Sequence, residues 1–373
     1  MDSRAEPTSA PAGGPKTLLQ ATTSASSWTL RLLLALFLFV GSLQLMKTGA
    51  ASLDLFKAGG YLVRNAGSTL GLGWLGALFV LSGSPVAATA LTLVAAESIT
   101  ETQGFTMLTG SRLGAAFVVL VTAVIFALRA DEGEKMKPVS TAVMALSTTA
   151  LIYVPSALLG FVLLNWGPFS GLDLEFPGQF ADLLDIIYGG ILDRVGTWPA
   201  TLVFLGGLGA LLLSLKALDS VMPQLDGEEG IGDRRLTWLR KKWTMFALGC
   251  AVALVTMSVS VALTVLVPLV SKGYAKREDI IPYIMGANIT TLGDTLLAAF
   301  ALNSPASVRI VLAGIISTTI LSVFLLAFFY PQIKRSIWRF QRLMVRSRSR
   351  LAFFTAGLFL VPVAIITISG WAG

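Results

Sequence analysis

Long apolar runs constrain this chain more than any other feature. They occupy residues 29–50, 104–129, 139–165, 197–222, 281–302, 307–330 and 351–371. A helix of about 20 apolar residues crosses the hydrocarbon core of a bilayer, so each run is long enough to span. The runs are too long for barrel strands and do not alternate in polarity. Only 13% of the chain is charged and 54% is hydrophobic. A soluble domain carries roughly 25% charged residues. The expected fold class is an all-α polytopic membrane protein.

Charge placement orients the spans. The net charge is +7, with no histidine and one cysteine, Cys250. The basic residues gather in short connections, which is the mark of the inner side of a membrane rather than of a nucleic-acid surface. Arg234, Arg235, Arg240, Lys241 and Lys242 close the 223–242 loop. Lys272–Arg277 is a basic turn, and 331–350 holds seven basic residues and no acidic one. Residues 166–196 instead hold five acidic residues and one arginine, which reads as an extracytoplasmic loop. The composition of residues 1–28 reads as a disordered cytoplasmic tail. Without histidine, His-based metal sites, His-containing triads and histidine proton relays are excluded. No nucleophile–base pair stands out, and the expectation is that the chain is not an enzyme.

Two segments do not read as plain spans. Residues 52–97 contain Gly71-Leu-Gly-Trp-Leu-Gly76 and the run Leu81–Thr92, in which Ser82, Ser84 and Pro85 interrupt apolar sequence. Proline removes a backbone donor and kinks or breaks a helix. Residues 243–271 contain a similar run, Met257–Pro268, with Ser258 and Ser260. Ser82 precedes Ser258, and Ser84 precedes Ser260, by 176 positions. The same offset carries Gly110 onto Gly286, and Ser42-Leu-Gln maps onto Ser214-Leu-Lys at 172. Parity through the charged loops makes corresponding spans run in opposite directions. The predicted architecture is an inverted-topology repeat, 29–165 and 197–330, with one broken or re-entrant hairpin in each half. The basic segment 331–350 and an extra C-terminal helix, 351–373, complete it. Such repeats place binding sites near the midplane, where the broken elements meet.

The chemistry expected there follows from the residue types. Backbone N–H groups at a break, with Ser and Thr hydroxyls, can hold an oxyanion. The candidates for substrate binding are Ser82, Ser84, Thr89, Arg112, Ser258, Ser260, Thr264 and Asn288. Carbonyl and hydroxyl oxygens can also hold sodium, with Ser84, Ser260, Asn288, Thr290, Thr291 and Asp294 as candidates. Asp294 and Arg112 are charges in apolar runs, and such charges are costly unless paired. Arg112 is the counterpart of Asn288 and suits either an oxyanion or Asp294. Ser, Thr and Gly are also common packing residues of membrane helices.

Gly41-Ser-Leu-Gln-Leu-Met46 followed by the Ser-bearing run Leu81–Thr92 resembles the start of a repeat in the sodium/phosphate cotransporter family. Gly286-Ala-Asn-Ile-Thr-Thr291 is similar to that family's Gly-Ala-Asn-Ile-Gly-Thr-Thr motif with one glycine missing. The resemblance covers most of 29–330 and implies inverted repeats, re-entrant hairpins, Na+ coupling and inorganic phosphate as substrate. The family's Gln-Ser-Ser-Ser motif has neither its glutamine nor its consecutive serines here. Gly110-Ser-Arg-Leu-Gly114 stands in place of the first asparagine motif. The expected function is therefore a sodium-coupled symporter of an inorganic anion, phosphate first, working by alternating access in the cell membrane. Its N-terminus is expected to be cytoplasmic and its C-terminus extracytoplasmic. Membrane lipid is an expected partner, nucleic acid is not, and a homodimer is compatible with the reading. The alternatives are a transporter or channel for another solute without sodium coupling, and a non-transporting membrane scaffold or receptor.

Overall fold

The computed structural model describes residues 18–53, 63–129, 136–169, 178–221, 241–271, 276–277 and 279–371. Sixteen α-helices follow one another in the described residues. The first half contains α1 Leu18–Ala51, α2 Ala66–Val80, α3 Ser84–Ala95, α4 Glu101–Ala115, α5 Phe117–Arg129 and α6 Met136–Asn165. After α7, Gly178–Val195, come α8 Ala200–Val221, α9 Lys242–Thr256, α10 Val259–Thr264 and α11 Leu266–Ser271. The chain ends with α12 Ile280–Thr290, α13 Gly293–Ala301, α14 Pro305–Phe324, α15 Tyr330–Val345 and α16 Arg348–Trp371. A π-helical turn, Leu325–Phe329, joins α14 to α15.

Among the described residues, seven helical stretches are long and apolar enough to cross a membrane, in agreement with the seven expected spans. No strand occurs among the described residues. The protein is an all-helical integral membrane protein. Helices α2, α3 and α9 are apolar but have only 15, 12 and 15 residues. At about 1.5 Å rise per residue none of them spans a core of about 30 Å.

Several elements differ from expectation. The first helix begins at Leu18, so only residues 1–17 of the anticipated 1–28 tail lie outside the described residues. Pro15 is the last helix breaker before it, and nothing between Leu18 and Trp28 stops a helix. Pro155 was expected to interrupt the third span, but α6 runs through it. Packing against neighbouring helices lets a membrane helix tolerate such a proline. The acidic connection 166–196 contains α7, whose Tyr188 stacks on Phe37 of α1 at 5.2 Å. The Tyr188 hydroxyl donates to the Phe37 carbonyl at 2.9 Å, and Gly41 leaves room for the ring. Of Gly206-Gly-Leu-Gly209, only Gly207 is a packing residue, set against Met46 and Ser42 of α1, while Gly206 and Gly209 face open space.

The spans expected at 104–129 and 281–302 are both kinked. Helix α4 gives way to α5 at Ala116, and α12 gives way to α13 through Thr291 and Leu292. Close backbone contacts hold α2 to α4 and α9 to α12. A Cβ on Gly110 would lie 2.0 Å from the Leu70 carbonyl oxygen, and one on Gly286 would lie 2.1 Å from that of Phe246. A Cβ on Gly73 would meet the Met107 carbonyl oxygen at 2.1 Å, and one on Gly249 that of Tyr283 at 2.0 Å. All eight residues form pairs separated by 176 positions.

Hydrogen bonds sort the helix ends into two rims. On one rim Ser98 donates to the Ala50 carbonyl, Gln103 to Val63, Thr102 to Asn165 and Gln44 to Ala301, and Glu101 pairs with Arg309. Arg64 and Asn65 cap the end of α16 at Gly370 and Ser369. On the other rim Arg277 reaches Ser140, Lys334 pairs with Asp279 at 3.8 Å, and Lys242 caps the π-turn at Leu326.

Candidate functional site

The break between α2 and α3 is built by local capping. Asn65 starts α2 with a reciprocal cap on Ser68. Leu81 ends it in the left-handed region at φ 55°. A β-carbon makes that conformation cost about 1–2 kcal/mol. Helix α3 then starts behind Gly83, with Pro85 in its first turn, where a missing N–H is harmless. Pro85 thus opens the second helix, while the chain reverses conformation at Leu81. Gly83 leaves little space for a side chain, since a Cβ there would stand 3.0 Å from the Ser111 carbonyl oxygen. The break therefore rests on α4 one residue before Arg112.

The second break repeats the device without glycine or proline. Met257 ends α9 at φ 47°, 176 positions after Leu81. Ser258 caps α10 by accepting the Val261 N–H at 3.3 Å. Tyr283 of α12 ties this element down by donating to the buried Ala262 carbonyl at 2.9 Å. Thr256 donates to its own helix at Val252.

The residues that come together lie at the two kinks. Arg112, at the end of α4, is 1% exposed, and its Nη2 is 3.3 Å from Asp294 Oδ1 in the first turn of α13. The same nitrogen donates to the Thr295 hydroxyl, which donates to Asp294 Oδ1 at 2.8 Å. This cluster joins the first kink to the second. It leaves Arg112 Nε and Nη1 and Asp294 Oδ2 without partners among the described residues. Such buried polar atoms are rare in native interiors and call for an explanation.

Beside this pair lies a second polar group. Asn288, 1% exposed, donates to the Thr149 hydroxyl at 3.2 Å, and its carbonyl accepts from Tyr153 at 2.6 Å and from Thr291 at 3.3 Å. Arg112, Tyr153, Thr109, Ser156, Ser317 and Thr318 share the wall of one small cavity. It has room for about one water molecule. Thr149, Tyr153 and Thr295 were not among the sequence-derived candidates. Thr149 and Tyr153 are four residues apart in an apolar helix, a spacing that puts both on one face and marks them as a pair.

The remaining candidates are more dispersed. Ser82 and Ser84 are half-buried at the first break, and the Thr89 hydroxyl is spent on the Pro85 carbonyl at 2.8 Å. Thr264 bonds back to Val261, and Thr290 bonds across to Cys250. The Ser260 side chain lies outside the described residues. No hydrogen bond joins Ser82, Ser84 or Thr89 to Ser258 or Thr264. Instead each element crosses to the other half's kink, α3 packing on α13 and α10 on α5. No cluster of three His, Cys, Asp or Glu side chains occurs among the described residues. No family model, curated protein or solved structure matches the chain.

Proposed function

We propose that the protein is a secondary symporter that carries a small inorganic anion, phosphate first, with sodium by alternating access. One observation carries this reading. Two left-handed breaks, Leu81 and Met257, recur at the offset that also relates the glycine contacts and the two kinks. Between those kinks lies an arginine with two nitrogens, Nε and Nη1, unpaired among the described residues. Repeated broken elements around an incompletely satisfied buried charge suit a transport site.

The rim contacts support a re-entrant reading of both broken elements. The residues before α2 and after α3 bond to one rim through Gln103 and Ala50, and α9 starts at the other rim beside Leu326. With the basic segments inside, the first element enters from the extracytoplasmic side and the second from the cytoplasmic side. The N-terminus is then cytoplasmic and the C-terminus extracytoplasmic, and residues 29–165 and 197–330 form inverted halves.

Electrostatics supplies a reason for coupling. Arg112 and Asp294 neutralise each other when the site is empty. An anion on Arg112 alone would leave a buried carboxylate with a weakened partner, which is strongly unfavourable. A cation on Asp294 Oδ2 restores neutrality, so the two ions enter more readily together. Thr291, Thr295 and the Asn288 side chain supply neutral oxygens close by. Ser82, Ser84 and Ser258 stand at the two breaks, from which the site would open alternately to each side.

The Arg112–Asp294 pair also favours a second reading, in which Asp294 is a permanent counter-charge and anion movement needs no cation. Uptake of radiolabelled phosphate into proteoliposomes separates the two, with sodium or choline outside and with arsenate and sulfate as competitors. Symport predicts uptake that depends on sodium and is lost in Arg112→Ala. Equal uptake in sodium and choline contradicts coupling. No flux of any tested anion contradicts transport and leaves a scaffold or receptor role as the better account.

A further inference from the structure

Helix α15 carries charge that the transport reading does not use. Arg335, Arg339, Arg342 and Arg346 are exposed and recur at intervals of four, three and four residues, which aligns them along one helical face. Ile333, Ile337 and Gln341 are buried on the opposite side. Leu343 and Phe340, 47% and 38% exposed, lie to one side of the arginine stripe, and the Arg342 guanidinium lies over the Trp338 ring at 5.6 Å. No acidic residue occurs anywhere after Asp294. The stretch Pro305–Val345 is 41 residues long. At about 1.5 Å per residue it far exceeds a bilayer core, so α15 must leave the hydrocarbon or lie at its surface.

The stripe leads directly into a groove. After Ser347 the chain turns into α16, and Phe340 packs edge-on against Phe354 to hold the two helices together. Arg348 stands at the head of an open groove of about 550 Å³ lined below it by Leu351, Ala352, Thr355, Ala356 and Phe359. The two alanines make the concavity, and Phe359 closes it against Phe117 of α5. The groove lies on Arg348–Gly370, a stretch long and apolar enough to cross a membrane, which sets it against lipid in that reading.

We propose that α15 and the head of α16 form a binding site for an anionic phospholipid. The phosphate sits against the arginine stripe and Arg348, and one acyl chain runs down the α16 groove. Cation density without any acidic residue selects an anionic headgroup, and the apolar groove selects a lipid over a soluble phosphate. This surface is independent of the transport reading.

The full chain in nanodiscs tests it, by native mass spectrometry for retained lipid and by thermal unfolding. The native protein should retain phosphatidylglycerol in preference to phosphatidylcholine and unfold at a higher temperature when phosphatidylglycerol is present. Replacing Arg335, Arg339, Arg342 and Arg346 with Gln should weaken retention about fivefold per arginine. The variant should keep the native Tm in phosphatidylcholine alone, which establishes that it folds. Ala356→Trp fills the groove and should reduce retention with all arginines present. Equal retention of the two lipids by the native chain would overturn the proposal, as would undiminished retention in either variant. A Tm increase reproduced by inorganic phosphate in phosphatidylcholine nanodiscs would also overturn it.

Discussion

The two broken elements share a backbone and differ in the side chains set against them. In the first half, α4 ends on Arg112, which reaches across to Asp294 and Thr295. In the second half, α12 carries Asn288 at the corresponding position, where its side-chain amide donates to Thr149 and its backbone carbonyl accepts from Tyr153 of α6. The left-handed residue, the close glycine contacts and the kink recur at one offset in both halves, whereas the charge occurs once. Geometry is thus duplicated and electrostatics is not. A site built from such halves has a cationic side at Arg112, a neutral, hydroxyl-rich side at Asn288, and the counter-charge Asp294 between them.

The sharpest way to break this comparison is to equalise the charge. Arg112→Ala leaves Asp294 buried without its cation and should cost about 3–5 kcal/mol. The double variant Arg112→Ala/Asp294→Ala should recover most of that loss, while removing coupled uptake. Unfolding titrations in mixed micelles measure both. An Arg112→Ala cost below that of Asn288→Ala would mean that the pair is not the dominant polar contact.

The glycine contacts test equivalence of the backbones. Gly73→Ala and Gly249→Ala each push a Cβ into a carbonyl oxygen, as do Gly110→Ala and Gly286→Ala. Each should cost about 1–3 kcal/mol, with the members of each pair alike. A large cost in one half with none in the other would show that the two interfaces are not equivalent. The same titrations read this directly.

The smallest effect belongs to the neutral side. Asn288→Ala removes one amide bond to Thr149 and leaves the Thr149 hydroxyl able to turn to its own helix. It should cost about 1 kcal/mol. Thr149→Val should cost about the same. The double variant should cost less than the sum, since the two residues share one bond. Strict additivity would show that the Asn288–Thr149 contact contributes nothing.

Much of the architecture was legible because membrane folding rests on length and polarity. Seven apolar runs, their basic connections and the 176-residue recurrence of Ser82 and Ser84 were all visible in the sequence. Arg112 and Asp294 stood out for the same reason, as charges where charges are costly. Other features depended on tertiary packing. Pro155 lies within a continuous helix because neighbours restrain α6. Helix α7 looked like a loop because its acidic residues masked the Tyr188 contact with α1. Thr295 and Tyr153 carry no mark of their own and became site residues only when the kinks brought them beside Arg112 and Asn288. The breaks were expected at proline and serine. They fall at Leu81 and Met257, whose left-handed backbone no residue type announces.

The central claim is that two oppositely oriented broken elements form one transport site. Single cysteines at Ser84 and Ser260, in a Cys250→Ala background, test it through labelling with a membrane-impermeant maleimide in sealed, oriented vesicles. The account predicts that position 84 reacts from the extracytoplasmic face and position 260 from the cytoplasmic face, with sodium and phosphate together slowing both. Reaction of both positions from the same face would contradict it.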